Sequence, residues 1–139
     1  SIFIAEGKYH LARRMLDIAL DKAPSHSIYT TDHLGHDKLE ARAYEKLGLL
    51  AIAQGNLSQA RQYLAEAESR AKALNAAPPV YVAIYSALGD LNRKSEKKKE
   101  AAHYYRRAAE MQDSMTGAEN ARVKALRNLA DSVDPSHKP

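Results

Sequence analysis

Two histidines three residues apart, flanked by two aspartates, form the densest group of possible metal ligands in the sequence. His33 and His36 lie between Asp32 and Asp37, within the stretch SIYTTDHLGHDKLEARAY. Imidazole and carboxylate groups bind zinc, but a structural zinc site takes four ligands, and these come from two separated clusters. The remaining histidines lie elsewhere and supply no second cluster. We therefore favour an ordinary connector over a metal site or a pH-sensitive contact, and we expect no metal and no cofactor.

Residues with the spacing of known catalytic groups are absent from the sequence. The chain has no cysteine, which excludes cysteine nucleophiles, thiolate zinc sites and disulfides. It also has no glycine-rich phosphate loop, no H-E-x-x-H motif and no paired-carboxylate signature. The sequence therefore predicts a protein that is not an enzyme.

Basic residues are concentrated in one segment, RKSEKKKEAAHYYRR, at positions 93–107. Its seven Lys and Arg residues and two Glu residues give the segment a charge of +5. The whole chain carries +4, so the charges of the remaining residues sum to about −1. Clustered cations neutralise phosphates, which makes nucleic-acid binding through 93–107 one alternative function. However, Glu96 and Glu100 have the spacing of local ion pairs. The favoured interpretation is a solvated turn.

The composition favours helices over strands. Helix-forming Ala, Leu, Lys, Arg, Glu and Gln are abundant, whereas there is one Phe, no Trp and few β-branched residues. The 139 residues are the length of one domain, and the longest apolar run, at 47–53, is too short to span a membrane. The chain begins with Ser1 and has no secretory signal, which indicates a piece of a longer protein. We expect an all-α, cytoplasmic domain without membrane contact.

A 41-residue repeat organises the predicted helices. The segments 7–24, 55–73 and 95–113 each place a bulky residue between two alanines, at spacings of four and three, on one helical face. These triplets are Ala12/Leu16/Ala19, Ala60/Leu64/Ala67 and Ala101/Tyr105/Ala108. The first lies 48 residues before the second, rather than 41, because the connector between them is seven residues longer. A Tyr-x-x-Leu-Gly pattern precedes the second and third segments. Its tyrosines, Tyr44 and Tyr85, are separated by one full period of the repeat.

Together these patterns resemble the tetratricopeptide repeat (TPR), a helix–turn–helix unit. The resemblance covers roughly residues 5 to 133 and implies a right-handed α-α superhelix, a TPR-like solenoid, of about six antiparallel helices. It implies one TPR-like domain at residues 1–133, followed by a disordered tail at 134–139. The domain consists, in order, of a partial repeat at 1–24, a connector at 25–36, repeats at 37–78 and 79–116, and a capping helix at 117–133. Gly35 disfavours a helix, and the first full repeat is expected to begin at 37. An alternative is a helix that begins at 33 with Thr31 or Asp32 as its cap.

The first helices of such repeats line a concave groove that holds a peptide or a partner helix. The resemblance therefore implies a protein–protein interaction module, a scaffold within a larger signalling or regulatory protein. The groove positions that it implies are Arg42, Glu45, Lys46, Leu49, Ile52, Ser86, Asp90, Arg93, Lys124 and Arg127. An alternative for Leu49 and Ile52 is packing against a neighbouring helix. The Lys and Asn residues with which a well-known TPR clamp holds a C-terminal carboxylate are absent from the matching positions.

Three further hypotheses concern partners. The ending A-E-x-x-D-S, at 109–114, is similar to the last repeat of TPR sensor regions in bacterial histidine kinases. This likeness favours the interaction module within a signalling or regulatory protein. The alternative, from a different class, is a ligand- or peptide-sensing domain that controls an attached DNA-binding or kinase domain. Tyr81 and Tyr104 are candidate surface anchors for a partner. The incomplete first repeat also predicts self-association at that end.

Overall fold

The computed structural model describes residues 10, 11, 14 and 30 to 135, with side chains at 10, 11, 14 and from 40 onward. The described part contains five α-helices and no strands, which confirms the all-α expectation there. The helices are α1 (Thr30–Ala53), α2 (Leu57–Ala73), α3 (Pro78–Lys94), α4 (Lys98–Thr116) and α5 (Ala121–Val133). The predicted partial repeat at 1–24 lies outside the described residues apart from positions 10, 11 and 14, so the self-association assigned to it stays a prediction. Positions 136–139 of the predicted tail also lie outside the described residues.

Helix α1 begins at Thr30, seven residues before the expected start, and continues through Gly35. The expectation that Gly35 interrupts the helix is wrong. A glycine in a helix interior costs about 1 kcal/mol relative to alanine. A helix of 24 residues can absorb that cost, because most helical stability in proteins comes from tertiary packing. The turn signals Gly55-Asn56 and Pro78-Pro79 predict the later helices at about 57–76, 79–94, 96–114 and 117–133. The observed bounds differ from these by four residues or fewer.

The helices form two compact units, at residues 1–76 and 77–139. In the first unit α1 packs against α2. In the second unit α4 packs against both α3 and α5. Among the described residues, each unit therefore contains one helical hairpin, and the second has an additional helix.

In both hairpins a glycine on the first helix packs against a bulky side chain of the second helix, 16 positions later in the sequence. A Cβ atom on Gly48 would lie 2.6 Å from Cγ of Leu64, and one on Gly89 would lie 2.5 Å from Cε1 of Tyr105. Only glycine leaves room for these contacts. The alanines that flank the bulky residues are fully buried, as the predicted helical face requires: Ala60, Ala67, Ala101 and Ala108.

Three of the described helices end in the same hydrogen-bonded turn. After α1, Gly55 has φ +80°, and the N–H of Asn56 donates to the carbonyl of Ala51, five residues back. The same arrangement follows α2 and α3, where Asn75 and Glu96 take the left-handed conformation with φ 52° and 62°. This Schellman motif satisfies carbonyls that the end of a helix leaves unpaired. Glu96 is the least suited of the three residues, because it has neither glycine's freedom nor the local side-chain hydrogen bonding of asparagine.

The 41-residue spacing places Glu96 and Lys97 where the first hairpin has Gly55 and Asn56. The Asn56 side chain caps α2 by accepting a hydrogen bond from the N–H of Gln59, whereas Lys97 provides no side-chain cap for α4. We expect Glu96→Gly/Lys97→Asn to raise the free energy of unfolding by about 2 kcal/mol, roughly half from the left-handed residue and half from the cap. Urea unfolding followed by circular dichroism measures the change. Unchanged or lower stability would contradict the prediction, and the reverse exchange in the first hairpin, with Glu and Lys at those two positions, should be destabilising.

Helix α5 buries a single narrow face, formed by Val123, Leu126 and Ala130. These positions lie one repeat period after Val82, Tyr85 and Gly89, which α3 also buries. On its other side α3 buries Val80, Ile84, Ala87 and Leu91, but the matching positions of α5 are exposed and hold Ala121, Ala125, Asn128 and Ser132. A helix with one apolar stripe needs only one packed neighbour. The sequence of α5 therefore fits a position at the edge of the second unit.

Candidate functional site

The predicted groove positions of α1 fall on two sides of the helix. Arg42, Lys46 and Leu49, at spacings of four and three, share an accessible side, and Leu49 is 38% exposed. Glu45 and Ile52 are only 5% and 7% exposed. The expectation that Glu45 is accessible is wrong, whereas the burial of Ile52 fits the alternative that it packs against a neighbouring helix. Because each helical residue is rotated by about 100° from the previous one, they lie at the margin of the accessible stripe, where α1 turns toward its packed side.

The accessible side of α1 combines positive charge with apolar surface. We call Arg42, Lys46, Leu49 and Ala53 the α1 stripe; all four are fully or partly exposed. Within the described part of the chain, neither Arg42 nor Lys46 forms an ion pair. The stripe can therefore offer two cations that form no ion pair, one helical turn apart, beside an exposed leucine.

The buried carboxyl group of Glu45 lies beside this stripe. Burial raises the pKa of Glu45 above its ordinary value, and the charges of Lys46 and Arg42 oppose part of the rise. A carboxyl group whose pKa is raised in the folded state stabilises the fold below its unfolded pKa. That contribution is lost as the pH rises through the folded pKa. Above the unfolded pKa, Glu45 is therefore a destabilising group.

We expect Glu45→Gln to raise the melting temperature at pH 7, because it removes a buried charge without removing much volume. The gain should shrink as the pH falls and disappear below about 4.5, the ordinary value for a glutamate. Thermal melts of both proteins across this pH range test the prediction. Glu66→Gln is the control, because Glu66 is exposed and should show no comparable gain at neutral pH. A Glu45→Gln variant less stable than the parent at pH 7 would contradict the prediction.

In the second unit, Asp90 and Arg93 are engaged in contacts within their own hairpin. The hydroxyl of Tyr105 donates a 2.5 Å hydrogen bond to Oδ1 of Asp90, and Nη2 of Arg93 lies 3.6 Å from the same oxygen. Burial, followed by this hydrogen bond and the charge of Asp90, raises the pKa of Tyr105, while the charge of Arg93 lowers it. The hydroxyl therefore stays protonated at neutral pH and links α4 to α3. In the first hairpin the equivalent positions hold Leu49 and Leu64.

The other predicted groove residues of the second unit show varied surroundings. The hydroxyl oxygen of Ser86 is buried and has no hydrogen-bond partner among the described residues. Lys124 and Arg127 are exposed on α5, where their nitrogens lie 2.9 Å from carboxylate oxygens of Glu119 and Asp113. Arg127 thereby connects α5 to α4. The α1 stripe is thus the part of the predicted set with the most uncompensated functional groups.

The local ion pairs expected within 93–107 do not form in the described structure. No lysine or arginine nitrogen lies within 4 Å of the carboxylates of Glu96 or Glu100 among the residues described. Glu96 occupies the left-handed turn between α3 and α4. It therefore lies off the regular helix on which three- and four-residue spacings bring side chains together. The lysines at 97–99 are nevertheless exposed at the turn and the start of α4, as the interpretation of a solvated turn expects.

A row of tyrosines next to the basic segment was only partly anticipated from the sequence. The ring centroids of Tyr81 and Tyr85 are 5.8 Å apart, and those of Tyr85 and Tyr104 are 6.1 Å apart, with interplanar angles of 27° and 25°. The guanidinium carbon of Arg107 lies 4.5 Å from the centroid of Tyr85, and the ring of His103 meets Tyr104 edge-on. The four-residue spacings of Tyr81 with Tyr85 and of His103 with Arg107 were the available signal.

The histidine cluster of the sequence lies on α1, because His33 and His36 fall between Thr30 and Ala53. Their side chains are outside the described part, so the metal hypothesis stays a hypothesis at that position. Among the side chains that are described, no group of three or more His, Asp or Glu residues could hold a metal ion.

None of the described helices is both long and apolar enough to cross a membrane. Comparisons of the chain with protein families, with curated proteins and with solved structures found no match. Functional inference therefore rests on the surfaces of the two units themselves.

Proposed function

We propose that this chain is a protein-interaction module of the TPR type, which holds a segment of a partner protein and serves as one part of a larger regulatory protein. Two observations support the proposal. The hairpins α1–α2 and α3–α4 repeat the same glycine-to-bulky contact in the same 41-residue register, at Gly48 and Gly89. In addition, the first helix of the first hairpin presents the α1 stripe to solvent. The stripe is the observation on which the function depends.

The chemistry of the α1 stripe defines the kind of segment that fits it. Arg42 and Lys46 favour carboxylates, and Leu49 with Ala53 favours an apolar side chain. An amphipathic helix with acidic residues one turn away from a bulky apolar residue would satisfy both requirements. Covering Leu49 removes apolar area from water, and charge complementarity fixes the register and excludes basic partners. A superhelical arrangement of the repeats, which the TPR resemblance implies, would present this stripe on the groove side.

Selection from a display library of helix-forming peptides tests the proposal, because it does not require that the partner be identified first. We expect the peptides selected by the full chain to be acidic and to contain a bulky apolar residue. Their affinity should fall at least tenfold for Lys46→Glu/Leu49→Asp, because this variant reverses one charge and removes the apolar contact.

The matched control is Arg61→Glu/Ala65→Asp, which makes the same kind of change at two exposed positions of α2. The control should bind the selected peptides as the parent does, with unchanged helical content in all three proteins. Peptides that bind both variants equally would show that the α1 stripe is not the binding surface.

A further inference from the structure

The basic segment at 93–107 retains most of its cations unpaired in the structure. Arg93 pairs with Asp90, and Nη2 of Arg106 lies 3.2 Å from Oδ1 of Asp131. The five remaining cations are exposed and form no ion pair among the described residues: Lys94, Lys97, Lys98, Lys99 and Arg107. The segment contains only two acidic residues, Glu96 and Glu100, whose charges offset part of this positive charge. A charge of +3 therefore remains at this end of the α3–α4 hairpin.

Helix α4 aligns part of this charge with aromatic rings. Lys99, His103 and Arg107 follow one another at four-residue spacing, so they share one exposed face over about 12 Å at 1.5 Å per residue. Arg107 lies over the ring of Tyr85, and His103 packs edge-on against Tyr104. Arg107 and His103 thus connect the basic segment to the tyrosine row.

We define the α4 patch as Lys97, Lys98, Lys99, His103, Tyr104 and Arg107, together with Tyr81 at the far end of the tyrosine row. Tyr81 and Tyr104 are partly exposed on either side of buried Tyr85. Each end of the row can therefore offer part of a ring to a flat ligand. Glu110, three residues after Arg107, ends the cationic face.

We propose that the α4 patch binds single-stranded nucleic acid. Lysine and arginine side chains neutralise phosphates with release of counterions, while aromatic rings and guanidinium planes stack with unpaired bases. An acidic peptide would use the cations but would have no need of the rings. An anionic membrane would require several apolar side chains beside the cations, whereas the face from Lys99 through His103 and Arg107 is polar, and the exposed Met115 lies about two turns beyond Arg107. The combination of unpaired cations with accessible rings favours single strands.

Fluorescence anisotropy with the full chain and a labelled oligothymidylate of about 16 nucleotides tests this proposal. We expect binding that weakens steeply with salt. Lys97→Gln/Lys98→Gln/Lys99→Gln should weaken binding at least tenfold and reduce the salt slope by about two, because each phosphate contact on a single strand contributes roughly 0.7. The matched control is Arg122→Gln/Lys124→Gln/Arg127→Gln on α5, which removes the same charge and should reduce affinity much less.

The stacking part of the proposal has its own variants. Arg107→Lys keeps the charge at an exposed position but removes the planar group, and Tyr104→Leu removes a ring; we expect each to weaken binding roughly fivefold or more. Circular dichroism checks that each variant is folded. If Tyr104→Leu is unfolded, Arg107→Lys alone tests whether stacking contributes to binding.

Other ligands complete the test. Duplex DNA of the same length, polyglutamate and vesicles with anionic lipid should all bind less tightly than the single strand. Equal binding of any of these ligands, or an affinity for the oligonucleotide that Arg107→Lys leaves unchanged, would overturn the proposal. Because the residues differ from those of the α1 stripe, this result is independent of the peptide-binding test.

Discussion

Gly89→Ala should lower the free energy of unfolding by about 2 kcal/mol, although alanine is by far the better helix former. On an open helix surface the same exchange would be stabilising by about 1 kcal/mol. Here the new Cβ atom would lie 2.5 Å from Cε1 and 2.6 Å from Cδ1 of Tyr105. Extra atoms in a packed interior cost about 1–3 kcal/mol or more, and a rigid ring cannot rotate out of the way as an aliphatic chain can. The hydrogen bond from Tyr105 to Asp90 further restrains this ring.

Gly48→Ala provides a graded comparison in the first hairpin. There the added Cβ atom would meet Cδ2 and Cγ of Leu64, whose side chain has other rotamers. We therefore expect a smaller loss at Gly48 than at Gly89, measured by urea unfolding of both variants.

A double-mutant cycle identifies the cause of the loss at Gly89. Tyr105→Ala alone should cost about 3–5 kcal/mol, because it leaves a large cavity in the hairpin. In that background Gly89→Ala should become neutral or stabilising, since the ring is gone and only the helix propensity remains. If Gly89→Ala costs the same in both backgrounds, its effect does not arise from the contact with Tyr105.

Arg70→Met should destabilise the first unit by about 2 kcal/mol at neutral pH, because it removes one partner of a largely buried ion pair. Nη1 of Arg70 lies 2.9 Å from Oε1 of Glu40, whose side chain is only 6% exposed; the two atoms form an ion pair rather than an aligned hydrogen bond. The guanidinium also lies 5.7 Å from the centroid of Tyr44, so it connects α2 to α1. Breaking a fully buried ion pair in this way typically costs about 3–5 kcal/mol. We expect less because the Arg70 side chain is 38% exposed.

Removing both charges separates the ion pair from simple packing. Replacing a buried ion pair by apolar side chains is often neutral, so Glu40→Met/Arg70→Met should recover most of the stability lost in Arg70→Met. Glu66→Gln is the control, because the 3.4 Å contact of Glu66 with Arg70 is exposed and should contribute less than about 1 kcal/mol. A double variant less stable than Arg70→Met alone would contradict this account.

The parts of the fold that depend on local pattern were predictable from the sequence. The 41-residue register placed Gly48 and Gly89 in equivalent positions, and the alternation of small and bulky residues identified the buried face of α2 and α4. Most helix boundaries followed from glycine, proline and asparagine near the turns. These signals act over a few residues, which is why a single sequence reveals them.

The contacts that depend on pairing between helices were not predictable in the same way. Glu40 on α1 meets Arg70 near the end of α2, and Asp90 on α3 meets Tyr105 on α4, so both partners are remote in sequence. The TPR resemblance assigned Glu45 to an accessible groove, whereas the structure buries it. Similarly, the low helix propensity of Gly35 suggested a break in the helix, whereas α1 extends back to Thr30. Tertiary packing outweighs the helix propensity of one residue.

The difference between the two hairpins at equivalent positions restricts how their sequences can be recombined. Leu49 and Leu64 are both apolar, whereas Asp90 and Tyr105 carry a carboxylate and the hydroxyl that donates to it. A chimera that joins α1 to α4 would place the hydroxyl of Tyr105 beside a leucine, and one that joins α3 to α2 would leave Asp90 without its donor. The glycine beside each bulky residue is common to both hairpins. A crossover between copies of this repeat should therefore give a stable hairpin only where the residues at these two positions, Leu49 with Leu64 or Asp90 with Tyr105, come from the same hairpin.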